Sequence, residues 1–213
     1  MRATTAVKAA LLVSAFFFMS GQYGNAQVVA EPALLTAGIP EEETLIVYAS
    51  LAENSYVLGG MIRFPVGFEV DVGGRAGLWL VDDTDDTPFA GVDARYGLLA
   101  RPLTPGGGQF NLSFDVGLGV SDARATVWKI PIGFITGFSF RLAGGASEIF
   151  IHPRVDLGVS SGEDKFDAAL LLDLGGVFAL APSAGAVVGF RFGKGVFDEG
   201  KQAVVTLGAV WRM

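Results

Sequence analysis

Strict alternation between apolar residues and small or polar residues constrains the fold of this chain more than any other feature. In residues 110–120, FNLSFDVGLGV, the even-numbered positions hold Phe, Leu, Phe, Val, Leu and Val, and the odd-numbered positions hold Asn, Ser, Asp, Gly and Gly. Successive side chains of a β-strand point to opposite faces. This stretch is therefore predicted to be a strand with one apolar face and one polar face.

The same period of two recurs along most of the chain and predicts about ten strands. The predicted strands are residues 44–53, 55–64, 68–81, 91–101, 110–120, 126–142, 148–159, 166–180, 185–193 and 202–213. The first is the least regular, because it is apolar on both faces. An eight-stranded fold stays open if two of these segments are not separate strands.

The composition of the two faces distinguishes a membrane barrel from a soluble sandwich, which also alternates. The polar face of a sandwich usually carries Lys, Glu and Thr, whereas here it carries Gly with scattered Asp and Arg, and the apolar face carries large aromatic residues. Gly is costly in a strand unless something crowds that side, as long Arg side chains in a narrow lumen would. Because lipid cannot satisfy an open sheet edge, we predict an all-β fold, a closed antiparallel up-and-down transmembrane β-barrel.

The alternating strands and the last nine residues, VTLGAVWRM, resemble the superfamily of small bacterial outer-membrane β-barrels, of the OmpA- and OmpW-like class. Residues 205–213 place apolar side chains at alternate positions and an aromatic, Trp211, near the end, although the last residue is Met213 rather than the usual Phe. The resemblance implies a porin-like membrane protein of the Gram-negative envelope. It also implies contacts with outer-membrane lipid and lipopolysaccharide, and insertion by the barrel-assembly machinery.

The linkers between predicted strands form two alternating sets, which predicts the orientation of the barrel. Uncharged Pro/Gly turns occur at residues 65–67, 102–109, 143–147 and 181–183. Linkers that contain acidic residues occur at 53–54, 82–88, 121–125, 160–165 and 196–201. Alternate linkers of an up-and-down barrel lie on opposite sides of the membrane. We expect the uncharged turns and both chain termini on the periplasmic side and the acidic loops outside.

The N-terminus has the pattern of a secretory signal peptide. Arg2 and Lys8 are followed by the apolar residues 9–19, and the small residues before and at Ala26 fit a cleavage site. We predict cleavage after Ala26, with an uncleaved N-terminal membrane anchor as the alternative. The predicted organisation is a signal peptide (1–26), an N-terminal periplasmic segment (27–43) and a transmembrane β-barrel (44–213).

Charged residues on the polar face are predicted to line the lumen. Acids and bases are nearly balanced, and charges inside a narrow barrel must be paired or hydrated. Glu69 is expected to face Arg63 across one turn, and Glu148 to approach Arg141 across another. The pattern favours an ion-paired plug, with a polar permeation path as the alternative. The predicted lumen set is Arg63, Glu69, Asp71, Arg75, Asp93, Arg95, Arg101, Asp115, Lys129, Arg141, Arg154, Asp156, Asp173 and Arg191.

Aromatic residues on the apolar face fall near predicted strand ends, where a membrane barrel carries aromatic girdles. The predicted girdle set is Tyr56, Phe64, Phe68, Phe110, Trp128, Phe138, Phe140, Phe166, Phe178, Phe192 and Trp211.

Few residues suggest chemistry beyond these sets. The absence of Cys excludes disulfides, a thiolate metal site and a lipoprotein anchor. His152 is the single histidine; it is predicted to point inward near Ser139 or Gly137, so a surface-hydrolase role is disfavoured because a general base must reach its substrate. The acidic loop offers a weak divalent-cation candidate, although its spacing is not that of an EF-hand. The candidate ligands are Asp82, Asp83, Asp85 and Asp86.

The sequence thus favours a non-enzymatic integral barrel with an envelope-structural or surface-interaction role. No cofactor is expected. The net charge of −7 argues against nucleic-acid binding. Two alternatives stay open: a narrow channel for small solutes or ions, and an outer-membrane surface hydrolase.

Overall fold

Ten antiparallel strands form one closed barrel in a computed structural model, which describes residues 36–52, 55–81, 86–103, 108–122, 125–142, 145–161, 166–194, 196 and 201–213. The strands are β1 (Thr44–Ala52), β2 (Ser55–Pro65), β3 (Val70–Val81), β4 (Thr87–Pro102), β5 (Gln109–Asp122), β6 (Thr126–Leu142), β7 (Gly145–Ser160), β8 (Phe166–Ala181), β9 (Ala184–Lys194) and β10 (Lys201–Arg212). Among these described residues, no helix is long and apolar enough to cross a membrane. The predicted signal peptide lies outside the described residues.

Each strand pairs with its neighbours in sequence, and β1 closes the barrel by pairing with β10, from Thr44 with Arg212 to Leu51 with Val205. The predicted closed up-and-down barrel of ten strands is confirmed, which excludes the eight-stranded alternative and the sandwich. The connections β2–β3, β4–β5, β6–β7 and β8–β9 share one end with the start of β1 and the end of β10. We call this the turn end and the opposite end the loop end.

The alternation along each strand separates an inner face from an outer face as the sequence predicts. In β5, Asn111, Ser113 and Asp115 are at most 2% exposed, whereas Val116 and Leu118 on the other face are 38% and 43% exposed. Large apolar side chains cover the outside of the barrel in every strand. The apolar residues therefore form the outer surface of the barrel.

The girdle residues lie on this outer face at strand ends, except Phe68, which is exposed in the β2–β3 turn. Aromatic residues also lie midway along the wall. The rings of Phe114 and Phe134 pair there, with centroids 5.4 Å apart. The outer aromatic residues are consequently not confined to two bands.

The inner face contains aromatic rings as well as charges, so rings crowd the glycines in addition to the predicted Arg side chains. An inward ring lies over the glycine directly opposite it on the neighbouring strand, where a Cβ would collide with the ring. These pairs are Tyr48 with Gly59, Phe89 with Gly77, and Phe150 with Gly175. Glycine is placed in these strands because it leaves the space that each ring fills.

Candidate functional site

Five charged residues of β2, β3 and β4 form one ion-pair cluster inside the barrel. The Asp71 carboxylate accepts hydrogen bonds from both Arg63 and Arg95, which lie on the two neighbouring strands. Asp93 binds Arg63 at 2.6 Å and Arg75 at 3.2 Å. Two carboxylates thus bridge three guanidinium groups, so each charge has an opposite charge in contact with it.

A second cluster lies on β6 to β9. Asp156 contacts Lys129 at 2.8 Å and Arg154 at 3.2 Å. Asp173 contacts Arg154 at 3.3 Å and Arg191 at 2.6 Å. Asp173 and Arg191 are direct partners in the β8–β9 register, so the sheet geometry itself brings them together.

His152 joins this second cluster to β5. Its Nε2 lies 2.8 Å from Asp115 Oδ1, and its Nδ1 lies 3.7 Å from Asp173 Oδ2. The ring is inward, as expected, but it lies beside Gly133 at the middle of the wall rather than near Ser139 or Gly137. His152 is 0% exposed, so the ring has no access to a substrate at the surface.

Eleven of the predicted lumen residues are at most 5% exposed: the ten residues of these two clusters, and Asp115, which His152 links to the second cluster. They are Arg63, Asp71, Arg75, Asp93, Arg95, Asp115, Lys129, Arg154, Asp156, Asp173 and Arg191. The other three, Glu69, Arg101 and Arg141, are exposed, and each has a local structural reason for being so.

Glu69 does not face Arg63, because β3 begins at Val70 and leaves Glu69 in the turn before it. Its carboxylate accepts a hydrogen bond of 3.0 Å from the exposed Tyr96 hydroxyl. The residue opposite Arg63 in the register is Gly73. Glycine leaves room there for the Arg63 guanidinium to reach its aspartate partners.

Arg101 lies on the outer side because of a β-bulge in β4 between Gly97 and Leu99. One extra residue reverses the alternation of the strand beyond it. Arg101 consequently pairs with Phe110 of the outer face. The sequence signal of the bulge is the adjacent apolar pair Leu98 and Leu99, both 46% exposed, which an alternation continued from residue 92 to residue 101 passes over.

Arg141 has the inward parity of β6 but lies so close to the turn end that it is exposed. Glu148, which was expected to approach it, pairs instead with Ser139 and accepts a hydrogen bond of 2.6 Å from its hydroxyl. Asn111 Nδ2 donates to the same carboxylate at 3.2 Å.

A cavity of about 1100 Å³ opens at the turn end of the barrel. Arg63, Arg95 and Val177 are among its lining residues inside the barrel, and the β2–β3 turn and the β10 residue Arg212 are among those at its rim. The segment preceding β1 also lines it, from Thr36 onward. This cavity ends at the first ion-pair cluster.

Residues 36–39, which belong to the predicted N-terminal segment 27–43, enter this cavity. Ala37 is 2% exposed, and both its N–H and that of Gly38 donate to the Glu148 carboxylate. Sequence reasoning missed this contact because residues 36–43 have no periodicity and a contact 111 residues apart leaves no local signal.

Three of the four candidate cation ligands, Asp82, Asp83 and Asp85, lie outside the described residues. The fourth, Asp86, is exposed. Within the described part of the chain, no group of three or more His, Cys, Asp or Glu side chains has the arrangement of a metal site.

No protein-family model matches the chain, and no curated protein matches it. Several solved structures are similar at low identity. The N-terminal β-barrel domain of Pseudomonas aeruginosa OprF is 12% identical, covers 81% of this chain and 97% of its own, and has a TM-score of 0.39. The β domain of the Bordetella autotransporter BrkA is 12% identical, covers 81% and 99%, and has a TM-score of 0.47. The KdgM porin is 7% identical, covers 80% and 99%, and has a TM-score of 0.39.

Proposed function

We propose that this protein is a non-enzymatic integral β-barrel of the bacterial outer membrane whose lumen is closed by its own ion pairs. Its role is then envelope-structural or surface-interacting, and its class that of the small OmpA- and OmpW-like barrels. The uncharged turns face the periplasm and the acidic loops face outward. Lipid, lipopolysaccharide and the barrel-assembly machinery are the partners that this role requires.

The apolar outer face supports the membrane location. Side chains such as Leu58, Val92 and Phe134 are about half exposed around the middle of the wall, where water would be an unfavourable neighbour. A closed barrel leaves no strand edge unpaired, and a sheet in lipid must be closed because hydrocarbon cannot hydrogen-bond an unpaired edge. A wall that is apolar outside and ionic inside is the arrangement of an outer-membrane barrel.

The observation that carries the closed lumen is the burial of the eleven charged side chains. A water-filled pore leaves its lining accessible, whereas these residues are at most 5% exposed. Tyr48, Trp79, Phe89 and Phe150 add buried rings to the same interior. A barrel of about this size is near the limit at which side chains fill the inside.

Planar-bilayer recording tests the closed lumen. Purified protein is reconstituted after its folded state is checked by heat modifiability, and an established porin in the same bilayer is the positive control. We expect no conductance steps from this protein. Reproducible steps would contradict the closed lumen and favour the narrow channel, for which the turn-end cavity would be the entrance.

Cell fractionation tests the location and the export signal. We expect heat-modifiable protein in the outer-membrane fraction, with a mass and an N-terminal sequence that begin at Gln27. Recovery in the soluble periplasmic extract would contradict the membrane proposal.

The buried position of His152 argues against the surface-hydrolase alternative. If any hydrolase activity were detected, full retention of that activity in a His152→Ala variant would dismiss a mechanism that depends on this ring.

A further inference from the structure

The proposed function does not explain the segment of residues 36–39, which we call the mouth strap. It belongs to no strand, yet it lies inside the turn end against residues of β4, β5, β6 and β7. Side chains of the barrel wall contact the backbone groups of the strap. Ala37 N–H and Gly38 N–H donate to Glu148, and Ser113 Oγ donates to the Ala37 carbonyl oxygen.

The wall is shaped to receive the strap. A Cβ on Gly137 would lie 2.9 Å from the Ala37 Cβ, and a Cβ on Gly97 would lie 3.2 Å from Ile39 Cγ1. Two inward glycines on different strands therefore leave the space that the two strap side chains occupy. Arg95 Nη1, 3.4 Å from Thr36 Oγ1, adds a contact at the deep end.

Glu148 is also held by wall residues that do not belong to the strap. Ser139 and Asn111 both donate to its Oε2, at 2.6 and 3.2 Å, which holds the carboxylate in place. Gln109 in turn donates to Asn111 Oδ1 at 2.7 Å. A carboxylate fixed by wall residues, with Oε1 directed at two backbone N–H groups, is a preorganised acceptor for an extended peptide.

We propose that the turn end is a binding site for an extended peptide, that the chain's own mouth strap occupies it, and that Glu148 is the anchor from which the strap is released without unfolding the barrel. Ala37 is the one strap residue that is fully buried, while Glu41, Glu42 and Glu43 beyond it are exposed. Segments with few buried apolar contacts open at low free-energy cost. Release of the strap widens the cavity at the turn end and exposes Ser113 and Asn111, which the strap covers when it is bound.

Thiol labelling tests this proposal directly, because the chain has no cysteine and an introduced one is the sole thiol. The strap reporter is Ala37→Cys, and the reagent is a membrane-impermeant maleimide applied to refolded full-length protein. The reference reporter is Val66→Cys in the β2–β3 turn at the same end, where the native side chain is 64% exposed. We expect the strap reporter to react much more slowly than the reference reporter while Glu148 is present.

Removing the anchor should accelerate the reaction of the strap reporter alone. With Glu148→Ala we expect an increase of at least about tenfold, since a hydrogen bond to an ionised group is strong enough for that effect. Glu148→Gln keeps the size and one acceptor and should give a smaller increase. The control Glu69→Ala removes an exposed carboxylate at the same end and should change neither reporter.

Two results would overturn the proposal: the strap reporter reacting as fast as the reference reporter with Glu148 intact, or no acceleration in either Glu148 variant. Heat modifiability of each variant verifies the folded barrel. If Glu148→Ala does not fold, Glu148→Gln decides the question. The bilayer test of the closed lumen does not depend on this outcome, because the ion-pair clusters lie deeper than the strap.

Discussion

Replacing Asp71 by Asn is the sharpest test of how much the barrel depends on its internal charges. Asp71 is 0% exposed and its carboxylate binds Arg63 and Arg95 at once. Asn has nearly the same volume, so packing changes little while the negative charge is lost. The substitution therefore isolates the electrostatic role of one buried carboxylate.

The expected loss of stability follows from the partners that the Arg63 and Arg95 guanidinium groups keep once the Asp71 carboxylate is removed. Arg63 keeps Asp93 at 2.6 Å, whereas Arg95 keeps only the Thr36 hydroxyl at 3.4 Å among the hydrogen bonds described for it. Removing one partner of a buried ion pair costs about 3–5 kcal/mol, because the other charge stays buried without compensation. We expect a loss of about 3 kcal/mol in the free energy of unfolding, near the lower limit, because Arg63 remains paired.

The measurement is urea unfolding of the refolded protein in phospholipid vesicles, followed by tryptophan fluorescence. Glu69→Gln is the matched control, because it makes the same chemical change two residues away on an exposed carboxylate and should leave stability close to that of the unmodified protein. Asp71→Asn combined with Arg95→Met should recover part of the loss, since it also removes the uncompensated cation. Equal effects of Asp71→Asn and Glu69→Gln would refute the reasoning.

Two further comparisons test the two faces of the wall by the same unfolding assay. Gly133→Val should destabilise the barrel by about 1–3 kcal/mol, because its Cβ would lie 2.8 Å from Arg154 Cβ and 2.9 Å from Asp115 Oδ1. Gly74→Val should not destabilise it, since nothing lies within 4 Å of a Cβ at that position. Equal losses would mean that the inner glycines are not required for space. Val116→Arg, on the outer face midway along β5, should cost about 2–4 kcal/mol in a bilayer, while Leu103→Arg at the turn end should cost about 0–1 kcal/mol. Similar values for both would contradict a bilayer around the wall.

The strands and their faces follow from the sequence because a period of two is a local property. Asp71, Asp115 and Arg191 each lie among residues whose alternation assigns their direction without knowledge of any neighbouring strand. Closure follows as well, since a wall that is apolar outside cannot keep a free edge in lipid. The register then brings residues such as Asp173 and Arg191 side by side.

The errors occur where a local period ends or is interrupted. The bulge before Arg101 reverses the side-chain alternation of β4, and the late start of β3 leaves Glu69 in a turn. The pairing of inward rings with glycines depends on register, which the pattern of one strand does not contain. The mouth strap was missed for the same reason, because its partner Glu148 is distant in sequence.

The seam between β1 and β10 has a consequence for biosynthesis. The first strand acquires its second neighbour only when the last strand is available, and Met213 N–H donates to the Glu43 carbonyl oxygen at 2.9 Å beside that seam. A polypeptide interrupted before Lys201 keeps two strands whose backbone groups have no partner across the gap, and hydrocarbon offers them none. In the bilayer proposed for this protein, β1 and β9 therefore need β10 between them, so the closed wall depends on its last strand.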